Sequence, residues 1–287
     1  RVNQRFTGNV TETIKKLLKG KKGIETKKNL DSDRASNAYS FVGNLKRPFD
    51  TIQWLCSKTQ SSKDGYGFLF FETLDGYVFR SIENLLDEKA VEYKKSEKVE
   101  GNNDDLRILE NNLNQTNDIG MGCRMGMYAN KTIYINLDNE NQKTVDFKIE
   151  DLKLKKSPKL PNQLEKLPTR LMLRVLDKGA LQKGSKRKEI QRENELAIYQ
   201  NKSYARNNLI FSQSMSVSIP FNPTLRAGQM MNLRFPLRKG NDQETTTYGE
   251  ESDDDVSGKY LISELSHVIS DNQANTQLTL IRDVFTA

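Results

Sequence analysis

Ser257 to Asp283, SGKYLISELSHVISDNQANTQLTLIRD, alternates apolar and polar residues on both sides of the polar group Asp271-Asn272-Gln273-Ala274-Asn275. Period-two alternation marks a strand with one buried face, and a cluster of turn formers between two such runs marks a reversal. The stretch is read as two antiparallel strands. Upstream, Met215 to Ile219 and Leu225 to Phe235 alternate in the same way and are expected to join them in one sheet.

Working outward, Lys131 to Leu137 and Thr144 to Ile149 alternate cleanly and read as another hairpin, joined by Asp138 to Gln142. Parity picks out the expected barrel core: Ile133, Ile135, Val145 and Phe147 in this hairpin, and Met215, Val217, Met231, Leu233, Leu278 and Leu280 in the later strands. Tyr66 to Glu72 and Tyr77 to Arg80 make an aromatic hairpin about Asp75-Gly76. Helical signals lie elsewhere. Asn9 caps a short amphipathic helix carrying Val10, Ile14, Leu17 and Leu18, with Glu12 placed to reach back to the cap and Gly20 to stop it. Pro48 opens a second helix with Phe49, Ile52, Leu55 and Cys56 at helical spacing. A short helix is expected around Leu106, Leu109 and Leu113, within Asn102 to Asp118, and a charged one from Lys186 to Ala205. Lys21 to Asn37 reads as a loop, Ser157 to Pro161 with Pro168 as a connection leaving the sheet, and Gly184 as a turn.

The order of these phrases, a Leu-x-x-Gly turn between strands, a long polar loop, a Ser-Gly-x-Tyr strand reaching His267 and a strand ending in Arg282-Asp283, resembles the closing half of the tube-like barrel in baseplate central hub proteins of contractile-tailed bacteriophages. The Pro-led phrase RPFDTIQWLCSKT with its aromatic hairpin resembles the domain inserted between two tube barrels in that family, and Met125-Gly-Met-Tyr128 resembles the start of its second barrel. The matching phrases fall in 41–80, 120–149 and 203–283. The resemblance implies an α+β, mainly β, chain: an antiparallel tail-tube-like barrel from 119–149 and 209–287, and a discontinuous inserted α/β subdomain from 1–118 and 150–208. It implies a first tube barrel upstream of Arg1. It further implies a virion protein, assembled in the host cytoplasm as a homotrimer, that joins the sixfold tail tube to the threefold spike. Its partners would be the spike trimer and tail-tube or tube-initiator proteins, with DNA passing through the lumen without specific binding. Neither an enzyme activity, nor a cofactor, nor membrane insertion is expected.

Composition is compatible with that reading. Only 35% of the 287 residues are hydrophobic, and 45 Lys and Arg against 38 Asp and Glu give a net charge of +7. The mean hydropathy of −0.74 is polar for a globule that buries its whole surface alone. Lysines crowd Lys15 to Lys28, whereas Glu244, Glu250, Glu251 and Asp253 to Asp255 form a late acidic segment between Gly240 and Asp255, expected to project toward a neighbouring subunit. Two cysteines make no disulfide framework, and no apolar stretch approaches a membrane span.

Gly120-Met-Gly-Cys-Arg-Met-Gly126 has glycines that could admit an anion, but neither dinucleotide nor Walker spacing, so a loop entering a strand is favoured. Cys56 on an apolar helix face reads as a core residue, and His267, at the end of a strand, as structural; no third group suggests a Cys/His nucleophile pair. Asp253-Asp254-Asp255 lacks the alternation of a calcium loop. No catalytic, cofactor or metal residue is assigned. Two alternatives stand beside the hub reading: a basic nucleic-acid-binding protein using Tyr199, Tyr204 and Arg206, and a cell-wall hydrolase component.

Overall fold

The computed structural model describes residues 1–61, 65–95, 106–115, 118–136, 142–152, 167–176, 186–236, 253, 256–271 and 273–283; the side chains of 115, 136, 176 and 186–194 lie outside that description. The expected turn at Asp138 to Gln142, apart from Gln142 itself, the turn at Gly184, most of the Ser157 to Pro168 connection and nearly all of the acidic segment also lie outside it. In chain order the elements are β1 (Arg5–Phe6), α1 (Val10–Lys19), β2 (Asn29–Ser32), β3 (Phe41–Val42), α2 (Pro48–Cys56), β4 (Phe68–Thr73), β5 (Gly76–Ser81), α3 (Ile82–Leu86), β6 (Val91–Lys94) and β7 (Glu110–Gln115). They continue with α4 (Ile119–Met125), β8 (Ala129–Asn136), β9 (Gln142–Lys148), β10 (Arg170–Leu176), α5 (Lys186–Leu209), β11 (Gln213–Pro220), β12 (Met230–Arg234), β13 (Gly258–Ile269) and β14 (Ala274–Arg282). Two compact units divide the chain: Arg1–Asn84 with Asp118–Leu209, and Leu85–Asn117 with Ile210–Ala287.

In the first unit, Asn9 accepts from Thr11 N–H at 3.0 Å and starts α1, as expected of a short polar cap. Glu12 does not reach back; it pairs with Lys15 at 3.0 Å. Val10, Ile14, Leu17 and Leu18 are fully buried and pack with Ile52, Leu55 and Cys56 of α2 and with Phe68 and Phe79 of the β4–β5 hairpin. Within the segment read as a loop, β2 pairs in parallel with β5, because Leu30 packs against this core and Asp33 accepts from Ser81 N–H at 2.8 Å. A second sheet, in the order β10-β8-β9, packs one face on α5: the Tyr134 hydroxyl donates to Ala197 C=O at 2.9 Å.

The second unit is one six-stranded sheet in the order β6-β12-β13-β14-β11-β7. All of its pairings are antiparallel except β6 with β12. Its inner face buries Met215, Val217, Met231, Leu233, Tyr260, Leu278 and Leu280, which includes all six positions that parity assigned in these strands. The sheet curls: at one end the two outermost segments meet in a bridge between Lys94 and Arg107, with Ile108 N–H donating to Lys94 C=O at 2.9 Å.

Three readings of the sequence differ from this arrangement. The β8–β9 hairpin belongs to the first unit, where β8 takes β10 as a parallel neighbour, so 119–149 is not part of the curled sheet. Ile133 and Ile135 are only half-buried, on the face away from α5; Thr132 and Tyr134, which alternate with them, are fully buried, with their hydroxyls toward Asn201. Finally, Glu110 to Gln115 is the edge strand β7 rather than a helix: the open edge of β11 supplies hydrogen bonds that override the helical spacing of Leu106, Leu109 and Leu113.

Burial predicts a sharp contrast between strands of similar composition. Leu280→Ala, at a fully buried position, should cost about 2–5 kcal/mol, whereas Leu173→Ala, at 66% exposure on β10, should change stability by no more than about 0.5 kcal/mol. Urea denaturation of the two variants checks this, and equal losses would contradict the assignment of faces.

Candidate functional site

The face of the curled sheet opposite its core carries two cross-strand rows. Glu110, Ser218, Gln277 and Ser266 lie in register across β7, β11, β14 and β13, and Asn112, Ser216, Thr279 and Glu264 form the next row. They line a shallow groove of about 420 Å³. Alternation put them there: each is adjacent in its strand to residues facing the other way. The rows contain hydroxyls, amides and two carboxylates, and neither Lys nor Arg. They offer a polyanion no counter-charge.

Two edges of the same sheet have no partner among the described residues. β12 is short, so its contact with β13 ends where Gly228 N–H donates to Ile262 C=O at 2.8 Å and Ile262 N–H to Gln229 C=O at 2.9 Å. Beyond that point Ser263 to Ile269 pairs only with β14, and Val268 and Ile269 are 45% and 71% exposed. On the far side, β7 pairs only with β11. The intervening antiparallel pairings make β13 and β7 run in opposite directions. Sheet end and core are locked together by Arg282, which donates to the Gln213 side chain and to Ser257 C=O and lies over the Tyr260 ring at 4.8 Å. Burial pushes the Tyr260 hydroxyl up to about 12, with Arg282 pulling it back.

The residues singled out for chemistry are scattered through both units. His267 lies on β13, its Nδ1 3.0 Å from Thr276 Oγ1 and its ring edge-on to Phe221. Cys56 is in the core of the first unit, and burial pushes its thiol up to about 12. The glycine-rich run is not a loop but α4, capped by Asp118, which accepts from Met121 N–H at 2.9 Å; Gly126 ends it at φ 69°. Gly122 has no room for a side chain, since a Cβ would sit 2.7 Å from the Tyr128 ring. Asp254 and Asp255 lie outside the described residues. Among those described, no three His, Cys, Asp or Glu side chains gather as metal ligands, and no helix is long and apolar enough to cross a membrane.

The aromatic and basic residues of α5 are not a stacking platform. The Tyr199 hydroxyl is 3.3 Å from Gly67 N–H, and burial pushes its pKa up. Arg174 lies 5.3 Å over the Tyr204 ring, whose hydroxyl donates to Met125 C=O at 3.0 Å. Arg206 is fully buried, with Nε 2.6 Å from Glu83 Oε1. Sequence reasoning missed the polar rows and Arg282; the regular Ser-x-Ser-x-Ser of β11 was the available signal for the rows.

No protein-family model matches the chain, and no curated protein does. Among solved structures, its fold is similar to that of the tail protein from Neisseria meningitidis MC58, with a TM-score of 0.54 at 11% identity over 99% of this chain and 71% of that one. The 43 kDa tail protein of prophage MuSo2 from Shewanella oneidensis aligns with a TM-score of 0.46 at 8% identity, over 100% of this chain and 66% of that one. The first likeness is one of fold; the second is too loose to bear weight.

The two thiols should react differently. Cys56 is buried and Cys123 half-exposed, so a disulfide reagent should titrate Cys123 in the folded protein and Cys56 only after unfolding. Burial holds the folded Cys56 thiol near 12 against an ordinary 9.0, so the folded state keeps this proton more tightly than the unfolded chain. The resulting contribution to stability is complete below pH 9 and is lost as pH rises toward 12. Rapid native labelling of Cys56 would contradict its placement.

Proposed function

We propose that the chain is a structural component of a bacteriophage tail and, more narrowly, part of a baseplate central hub that joins the sixfold tube to a threefold spike. The observation that carries this reading is the curled sheet with two oppositely directed edges that have no partner among the described residues. β7 of one copy placed beside Ser263 to Ile269 of the next would be antiparallel, as the rest of that sheet region is, and a head-to-tail contact of this kind closes into a ring when its rotation permits. Edges left bare in a monomer invite uncontrolled pairing, and assembly covers them. The fold likeness to a tail protein over 99% of the chain supports the same reading.

In such a ring the polar rows would face the passage. Serine, threonine, asparagine and glutamine stay hydrated, and Glu110 and Glu264 repel phosphate, so nucleic acid would pass without being held. The homotrimer, the spike trimer and tube-side proteins are the partners this role requires, and the place of action is the virion tail. The role asks for no catalytic group.

The bare edge of β13 provides the test. Ile269→Lys adds a charge at a 71% exposed position, so the monomer should keep its stability within about 0.5 kcal/mol. Association of the full-length protein with itself and with its spike, measured by light scattering, should weaken, because an edge lysine opposes strand addition. Unchanged assembly would rule out pairing through this edge. A full-length protein that stays monomeric beside its spike would overturn the hub reading itself.

A further inference from the structure

A second surface lies on the first unit, where the start of the chain is tied to the segment before α2. Val2 N–H donates to Lys46 C=O at 3.0 Å, Leu45 N–H to Val2 C=O at 2.9 Å, and Arg5 pairs with Val42 across β1 and β3. Between them Gly43 to Lys46 forms a tight turn, closed by Lys46 N–H to Gly43 C=O at 3.1 Å. Both central residues are left-handed, Asn44 at φ 46° and Leu45 at φ 59°. Asparagine tolerates that conformation; leucine does not, because its Cβ crowds the following carbonyl. Leu45 nevertheless occupies it and is 54% exposed, and Val42, which enters the turn, is 60% exposed. A strained backbone that holds an aliphatic side chain out in water gains nothing for the monomer.

The charges around this apolar group are of one sign. Residues 1–9 and 41–60, which build the surface, contain Arg1, Arg5, Lys46, Arg47 and Lys58, and Asp50 is their single carboxylate. Among the described residues Arg5, Lys46 and Arg47 form no ion pair. Trp54 is tied to the turn through Lys46, whose Nζ lies 5.1 Å from its ring centroid; Lys58 Nζ lies 4.9 Å from the same centroid, and the rings of Tyr39 and Phe41 are edge-on to it.

We infer that this surface docks a protein segment that carries carboxylates beside a bulky apolar side chain. The apolar residues receive the side chain, and Arg5, Lys46 and Arg47, which form no ion pair among the described residues, receive the carboxylates; this charge complementarity selects the partner. Nucleic acid fits less well, since the Trp54 ring is already covered by two ammonium groups and the outermost side chains are aliphatic rather than stacking. A symmetric contact with a second copy would bring two clusters of like charge together. The inference does not rest on the tail assignment.

Trp54 is the chain's single tryptophan, so its emission reports on this surface directly. The probes are a synthetic peptide alternating Glu with Leu and Phe, the same peptide with Lys for Glu, and an oligothymidylate. The acidic peptide should shift Trp54 emission, more weakly as salt is raised, and the basic peptide should not. Leu45→Gly should lower affinity for the acidic peptide by about tenfold without lowering the thermal midpoint, because glycine accepts the left-handed backbone. Val42→Glu, at an exposed position, should lower it likewise. Tighter binding of the oligothymidylate, self-association that shields Trp54, silence toward every probe, or an undiminished response from Leu45→Gly would each overturn the proposal.

Discussion

The pairing of β14 with β11 on one edge and β13 on the other is the interaction on which the second unit depends. β14 has neighbours on both edges and buries Thr276, Leu278, Leu280, Ile281 and Arg282, so its backbone groups are satisfied by strands and its side chains by core. Removing it would bare one edge of β11, leave Ser263 to Ile269 of β13 without a strand on either side, and open the core. The bulge between Ile262 and Glu264 adds twist where β12 gives out, as expected where an extra residue bends one strand of a pair. The sheet therefore curls around its apolar face and leaves the polar rows outside.

The first unit solves burial differently. Its α5 carries Asn201 and Arg206 into the interior, and burying a polar group costs less where a partner meets it. Thr132 Oγ1 and the Tyr134 hydroxyl oxygen lie 2.9 and 3.1 Å from Asn201 Oδ1, and Glu83 faces Arg206. Such contacts define position more strictly than aliphatic packing, since each needs a particular partner at a particular angle. They are also why the apolar residues of β8 face outward: the inner face was already claimed by groups that hydrogen-bond to the helix.

What could be read from the sequence follows the same division. The strands of the curled sheet were legible wherever core and solvent alternate, as in Met215 to Ile219 and Leu278 to Leu280, because apolarity there reports burial directly. Parity failed on β8, where Ile133 and Ile135 are more apolar than Thr132 and Tyr134 yet less buried. β7 was illegible for another reason: Glu-Asn-Asn-Leu-Asn-Gln has one apolar residue, and its strand conformation comes from the edge of β11. Of the candidate site, the polar rows were visible only as serines in a strand, since their alignment across four strands is a property of register. Leu45 gave no local signal, because a left-handed leucine is a consequence of the chain being held at Val2 and Lys46.

These cases share a cause. An alternating pattern reveals which face of a strand is buried only if the opposing layer is apolar, and it says nothing about edges. In the second unit the layer is apolar and the open groups are backbone edges, which recognise another strand by hydrogen-bond register and little else. For the β10-β8-β9 sheet of the first unit the opposing layer is polar, and the open groups are side chains such as Leu171, Leu173 and Val175 on β10. Side chains of that kind recognise by shape and area, without imposing a register. A chain that leaves both kinds of surface uncovered separates how firmly a neighbour is held from how exactly it is aligned.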